Sequence, residues 1–212
     1  TISGMTREEE FTFQTQQFKR ELDAFSSRDI RDIYIEDSIG YEDVLDVKRK
    51  ILKIKKEAFN NEQKEDFLIT SYFLLNLCRS AFFPLAYCDK AKEKQLLSWT
   101  LEEKLGDLKK YANSQMGGLR EDALCIIDIL ERMIEGLYES NPKAELVKEY
   151  ILKRKVDCIV TTKAYYEAIL SLWLVDCGIP ANLHPRIMTV SAFEKNMESF
   201  YNVLFITGYY DF

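Results

Sequence analysis

Few residues in this chain could do chemistry, and they are scattered. Cys78, Cys88, Cys125, Cys158 and Cys177 sit among apolar neighbours, and no two share a CxxC spacing. A free thiol in such surroundings behaves as a small hydrophobe, so reduced cysteines in a cytoplasmic protein are the expectation. A zinc site would need clustered Cys and His, and the single histidine, His184 in an NLHPR loop, does not supply one. No Ser/His/Asp or Cys/His constellation is readable, so nucleophilic catalysis has no support. What remains are hydroxyls. Thr161, Thr162, Thr189 and Ser191 each end or follow an apolar β-type run, and Lys163 adjoins the first pair. A helical pattern follows each run. In a parallel sheet such strand ends gather on one edge, where helix N-termini favour an anion. Binding of phosphate or of a nucleic-acid backbone is the chemistry these residues offer. The plainer reading makes Thr162 and Ser191 helix caps and nothing more.

The elements that would position them come late in the chain. Val156 to Thr162 (VDCIVTT) reads as a strand and Lys163 to Cys177 as a helix that Gly178 ends. Ile187 to Val190 reads as a second strand. Ser191 and Glu194 form a capping box for a short helix, and Val203 to Thr207 is the third strand, with Gly208 after it. Strand, helix, strand, helix, strand implies a parallel sheet with right-handed crossovers. A three-stranded sheet is thin, so the pattern suggests that it continues in a further part of the protein or in a partner.

Before residue 140 the period is helical throughout. Thr6 and Glu9 form a capping box for a first helix, with Phe11, Phe18, Leu22 and Phe25 on one stripe. Arg28 to Tyr41 reads as an ordered linker. A helix over 42–59 buries Val44, Val47, Ile51, Ile54 and Ala58, and Asn60-Asn61 stops it. Its other face is basic, with Lys48, Arg49, Lys50, Lys53, Lys55 and Lys56. Lys53 and Lys56 are the candidates there for contact with nucleic acid or an acidic partner; a solvated helix face is the plainer account. Further helices are expected over 62–82, 87–97, from the Thr100–Glu103 capping box to about Asn113, over 119–138, and from Pro142 to the basic run Lys153-Arg154-Lys155. The fold class is therefore mainly α: a helical domain over 1–140, then an α/β unit over 141–212.

Composition narrows the partners. At 212 residues and 47% hydrophobic the chain can bury a sizeable core, so disorder is not expected. A net charge of -6 repels nucleic acid and anionic membranes, so binding to either needs a local basic patch. Phe67 to Tyr87 is apolar enough to raise the membrane question, but Asn76, Arg79 and Pro84 argue for a buried core helix. No signal-peptide pattern opens the chain. Thr1-Ile2-Ser3-Gly4 ahead of Met5 reads as an added scar or the start of an excised fragment.

Residues 141–211 (NPKAELVKEYILKRKVDCIVTTKAYYEAILSLWLVDCGI, then IMTVSAFEKNMESFYNVLFITGYYD) carry a family likeness. The stretch resembles the second RecA-like domain of superfamily 1 and 2 helicases: a helix opening on Pro-Lys, a strand ending in Thr, a helix and a Gly, a strand with a T…S.F element, then NVLFITG. Such halves also occur as accessory parts of DNA repair and bacterial antiviral defence proteins. The resemblance implies a partial RecA-like unit, with Thr161, Thr162 and Lys163 at one strand end and Thr189 and Ser191 at its neighbour, on the edge where open parallel sheets bind ligands. The chain departs from that family in two respects. No GxxxxGK[ST] loop occurs, and no arginine follows Arg186 to serve as a late arginine finger.

The expectation is a non-catalytic, helicase-like segment of a larger nucleic-acid-associated protein or complex, without metal or cofactor. The alternative is a helical protein–protein interaction module with no nucleic-acid role. Without a phosphate-cradling loop the isolated chain should hydrolyse no ATP. Steady-state phosphate release checks this, and turnover abolished by a point mutation within the chain would overturn it.

Overall fold

A computed structural model of the chain describes residues 40–57, 62–161, 163–196, 200 and 202–205. The Thr6–Glu9 capping box, most of the linker, Asn60-Asn61, Thr162 and Ile206 to Gly208 lie outside the described residues.

The first described helix, α1 (Tyr41–Lys56), has Glu42 and Asp43 in its first turn and Lys53, Lys55 and Lys56 in its last, matching charge to the helix dipole at both ends. Val44, Val47, Ile51 and Ile54 are buried on one stripe, as the periodicity requires. α2 (Glu62–Ser80) is apolar on most sides and buries Phe67, Leu74, Leu75, Leu77 and Cys78. Among the described residues no helix is long and apolar enough to cross a membrane. α3 (Ala86–Glu93) is shorter than expected: Gln95 turns into the left-handed region at φ 58, and Leu96 and Leu97 fold back onto the Ala91 carbonyl. α4 (Leu101–Gln115) opens on the expected capping box, the Thr100 hydroxyl accepting from Glu103 N at 3.0 Å and the Glu103 carboxylate from Thr100 N at 2.8 Å. After Gly117, at φ 50, α5 (Arg120–Tyr138) buries Ala123, Ile126, Ile127, Leu130, Ile134 and Leu137. α6 (Pro142–Leu152) has Pro at its first position and Asn141 as its cap. α2 and α5 are the centre of this layer, with α1 and α4 packed on both.

The second part is a three-stranded parallel sheet. β1 (Cys158–Thr161), α7 (Tyr165–Asp176), β2 (Arg186–Thr189), α8 (Val190–Glu194) and β3 (Val203–Phe205) follow in sequence, and the strand order is β2-β1-β3. Thr161 pairs with Thr189 and Val160 with Phe205. The crossover from β1 to β2 and the one from β2 to β3 run in opposite directions across the sheet, so their helices cover opposite faces. Ile159, Ile187 and Leu204 face α7 and the main core; Cys158, Val160 and Met188 face Phe193 of α8. β1 starts two residues later than expected, and β2 starts and stops one residue earlier. Asp157 O receives Arg186 N at 3.0 Å, which brings Arg186 into β2. Thr189 then becomes the N-cap of α8, Val190 its first residue, and Ser191 lies inside the helix, so the Ser191–Glu194 capping box does not form.

One core runs through both parts, from Val44 in α1 to Ile179 after α7. Two polar residues fix the join. The Asn141 side chain, 1% exposed, accepts from Lys143 N at 3.0 Å and donates to the carbonyls of Ala81 at 3.0 Å and Phe83 at 3.1 Å. Tyr166, 2% exposed, meets Phe82, Phe83 and Tyr165 edge-on and hydrogen-bonds Ser80. Asn141→Ala would remove the cap and strand two carbonyls, a loss of about 2–4 kcal/mol. Thr100→Ala, at an exposed cap, should cost about 1 kcal/mol. Urea titrations decide: equal losses would show that the Asn141 clamp holds nothing beyond its own helix end.

Candidate functional site

The carboxyl edge of the sheet brings some of the expected residues together and uses them internally. Thr161 and Thr189 are register partners, and the strands that carry them are parallel. Thr161 is 1% exposed, and its hydroxyl donates to the Lys163 carbonyl at 3.1 Å, a local turn that ends the strand. The Thr189 and Ser191 hydroxyls lie 3.3 Å apart and pair with each other. Lys163 is exposed. α7 starts from Ala164 with no side-chain cap, so neither Thr161 nor Lys163 caps it. Among its described residues the edge thus offers Lys163 and the engaged hydroxyls of Thr161, Thr189 and Ser191.

Beside that edge lies a cleft the sequence does not announce. It has a volume of about 440 Å³ and runs along the outer side of β2, between Glu167 and Ser171 of α7 on one face of the sheet and Ala192 and Asn196 on the other. Arg186, Ile187, Met188 and Thr189 form its floor. Because Arg186 N bonds back to Asp157 O, alternate residues face β1, and Ile187 turns its backbone N–H and C=O away from β1, while Thr189 turns its N–H that way and gives its C=O to the first turn of α8. Arg186 lies over the Phe200 ring, 5.9 Å from its centroid. The signal that could have found this site is topological: among the described residues β2 pairs with β1 alone, which makes it an edge.

The basic face of α1 is partly engaged. Lys53 binds Asp122 of α5 at 2.5 Å and Lys50 reaches the same carboxylate at 3.6 Å, while Asp43 pairs with Arg132 at 3.4 Å. Asp122 is held below the usual carboxylate range by its hydrogen bond to Lys53, opposed by partial burial, and Lys53 is raised by the same bond. Lys48 is half-buried, and burial, then Arg79, lowers its pKa. Arg49, Lys55 and Lys56 are exposed.

The remaining titratable groups serve structure. All five cysteines are free thiols; burial pushes Cys78 up to about 12 and raises Cys88, Cys158 and Cys177, which keeps those thiols protonated at neutral pH. His184 bonds the Ile179 carbonyl at 2.8 Å and closes its own loop. Among the described residues no group of three or more His, Cys, Asp or Glu could hold a metal ion. Compared with protein-family models, curated proteins and solved structures, the chain matches none.

The Asp122 clasp has a pH signature. Its folded pKa is depressed, so its contribution is present above the ordinary Asp value of about 3.9 and is lost as pH falls through the lower, folded value. Asp122→Asn should lower the urea midpoint at pH 7, and the gap to the unaltered chain should close below about pH 3.9. A gap independent of pH would mean that the charge does not hold α1 to α5.

Proposed function

We propose that this chain is a non-catalytic protein-interaction module of a larger assembly, with the free edge of β2 as its contact. The carrying observation is that edge: Ile187 turns its backbone N–H and C=O, and Thr189 its N–H, toward an open cleft. Parallel sheets are covered on both faces, and exposed edges are ordinarily blunted by short strands, charged side chains, proline or a bulge. β2 is short and opens on Arg186 after Pro185, which leaves Ile187 and Met188 as its unguarded stretch. Strand addition supplies affinity through main-chain bonds and needs no catalytic group.

A second reading keeps the nucleic-acid role. The resemblance of 141–211 to a helicase half supports it, as do exposed Arg49, Lys55, Lys56 and Lys163. Against it stand the net charge of -6 and the engagement of Lys50 and Lys53 by Asp122.

A photoreactive phenylalanine analogue placed at Ser171 or at Lys56, both exposed, separates the readings in cells. Protein adducts at position 171, with none at 56, are expected. Nuclease-sensitive adducts at 56 and none at 171 would replace the interaction reading with the nucleic-acid one.

A further inference from the structure

We propose that the β2 edge takes an extended segment of a partner protein that runs parallel to β2 and reads acidic, β-branched apolar, any residue, basic. This rests on the interaction reading above and names the polarity and chemistry of its partner.

The polarity follows from which backbone groups point away from β1. In a trans peptide the C=O of one residue and the N–H of the next point opposite ways, and the described residues contain no cis bond. Arg186 N is spent on Asp157 O, so the Pro185 carbonyl turns outward. The same alternation turns out the Ile187 N–H and C=O and the Thr189 N–H. The row lacks a donor at its Pro185 end, since proline has no N–H, and an acceptor at its Thr189 end, where the C=O serves α8. A parallel strand bonds on a stagger: an outward residue donates to the partner residue just before the one it faces and accepts from the one just after. The partner residues on either side of the one facing Ile187 then use both their groups. The first donates to Pro185 O and accepts from Ile187 N; the second donates to Ile187 O and accepts from Thr189 N. An antiparallel strand exchanges both bonds with the residue directly opposite. It would pair fully only at Ile187, leaving a partner N–H unanswered opposite Thr189 and a partner C=O unanswered opposite Pro185.

The side chains supply the sequence. Neighbours in a parallel ladder share a face of the sheet, and successive residues alternate faces. Ile187 faces α7, so the partner residue beside it lies under Ser171, which is small and exposed. A β-branched apolar residue continues the Ile159–Ile187 row there. The partner residue before it lies beside Arg186, exposed on the other face, and a carboxylate at that place meets the guanidinium. α7 runs back from the carboxyl edge of the sheet, so Glu167, in its first turn and exposed, stands toward the Thr189 end. The partner residue beside Thr189 is on that same face, and a lysine there answers Glu167. An antiparallel strand would need the basic residue first.

NMR titration of the isotope-labelled full chain with acetyl-Ser-Glu-Val-Thr-Lys-Ser-amide tests this. The Ile187 and Thr189 amides should shift and saturate. A methyl on the peptide's Glu or Thr nitrogen removes a bond of the parallel strand and should weaken binding about tenfold or more, whereas a methyl on its Val nitrogen should leave affinity unchanged. Arg186→Glu, at an exposed position, should weaken binding about fivefold, and a peptide with Lys in place of Glu should recover it. No saturable shift at the two amides, or a loss confined to the Val nitrogen as an antiparallel strand requires, overturns the proposal. Shifts there that grow with the protein's own concentration, without peptide, would put a second copy on the edge and overturn it as well. Protein adducts at position 171 beside a failed titration would sink the parallel strand and leave the interaction reading standing.

Discussion

The seating of α7 on the helical layer depends on burying one phenol. Tyr166 sits on the first turn of α7 with 2% of its surface exposed, so its hydroxyl must find a partner inside the protein. It finds Ser80 at 2.6 Å, and the Ser80 hydroxyl in turn donates a hydrogen bond to the Asn76 carbonyl at 2.7 Å, within α2. Burial drives the phenol pKa up, so it stays a neutral donor. Around it Phe82, Phe83 and Tyr165 pack edge-on, and Trp99 and Phe73 extend the chain of rings toward α4. Edge-to-face pairs contribute about 0.5–1.5 kcal/mol each beyond their buried area, more than exposed ion pairs such as Lys90–Asp176 ordinarily do.

This constraint fixes what α7 can cover. One side of the helix is taken by α3 and the Phe82–Phe83 turn; the adjoining side lies over Ile159 and Ile187. The sheet therefore has a well-covered face on the helical layer and a second face held only by the small Phe193 cluster. The edge of β2 is left beyond both, with Ser171 and Glu167 on its rim. Its exposure follows from the packing of the helical layer and from the strand order, and the residues of β2 alone do not dictate it.

Much of the fold was legible because its signals are local. The Thr100–Glu103 box, Pro142 after Asn141, and Gly178 at φ 67 are backbone requirements that a few residues state by themselves. The parallel sheet followed from the alternation of patterns. What failed to read out depends on distant partners. The Asn141 amide bonding Ala81 and Phe83, and Asp122 gathering two lysines from another helix, have no sequence spacing that reveals them. Ser191 misled because a capping-box spacing holds whether or not the preceding strand runs one residue further back, and the bond from Arg186 N to Asp157 O decided that. Thr161 and Thr189 do end register-paired strands, yet a hydroxyl at a strand end can serve a ligand or its own turn with the same sequence, and Thr161 serves the turn.

The central claim is that the Tyr166 junction makes the sheet part of the helical core. Native-state hydrogen exchange tests it most directly, by following amides of Ile126 to Leu130 in α5 and of Ile169 to Trp173 in α7. The account predicts that both groups exchange through the same opening, with equal free energies, and that Tyr166→Ala lowers both by the same amount. If α7 amides lose protection in that variant while those of α5 keep theirs, the sheet is an appendage and the account is contradicted.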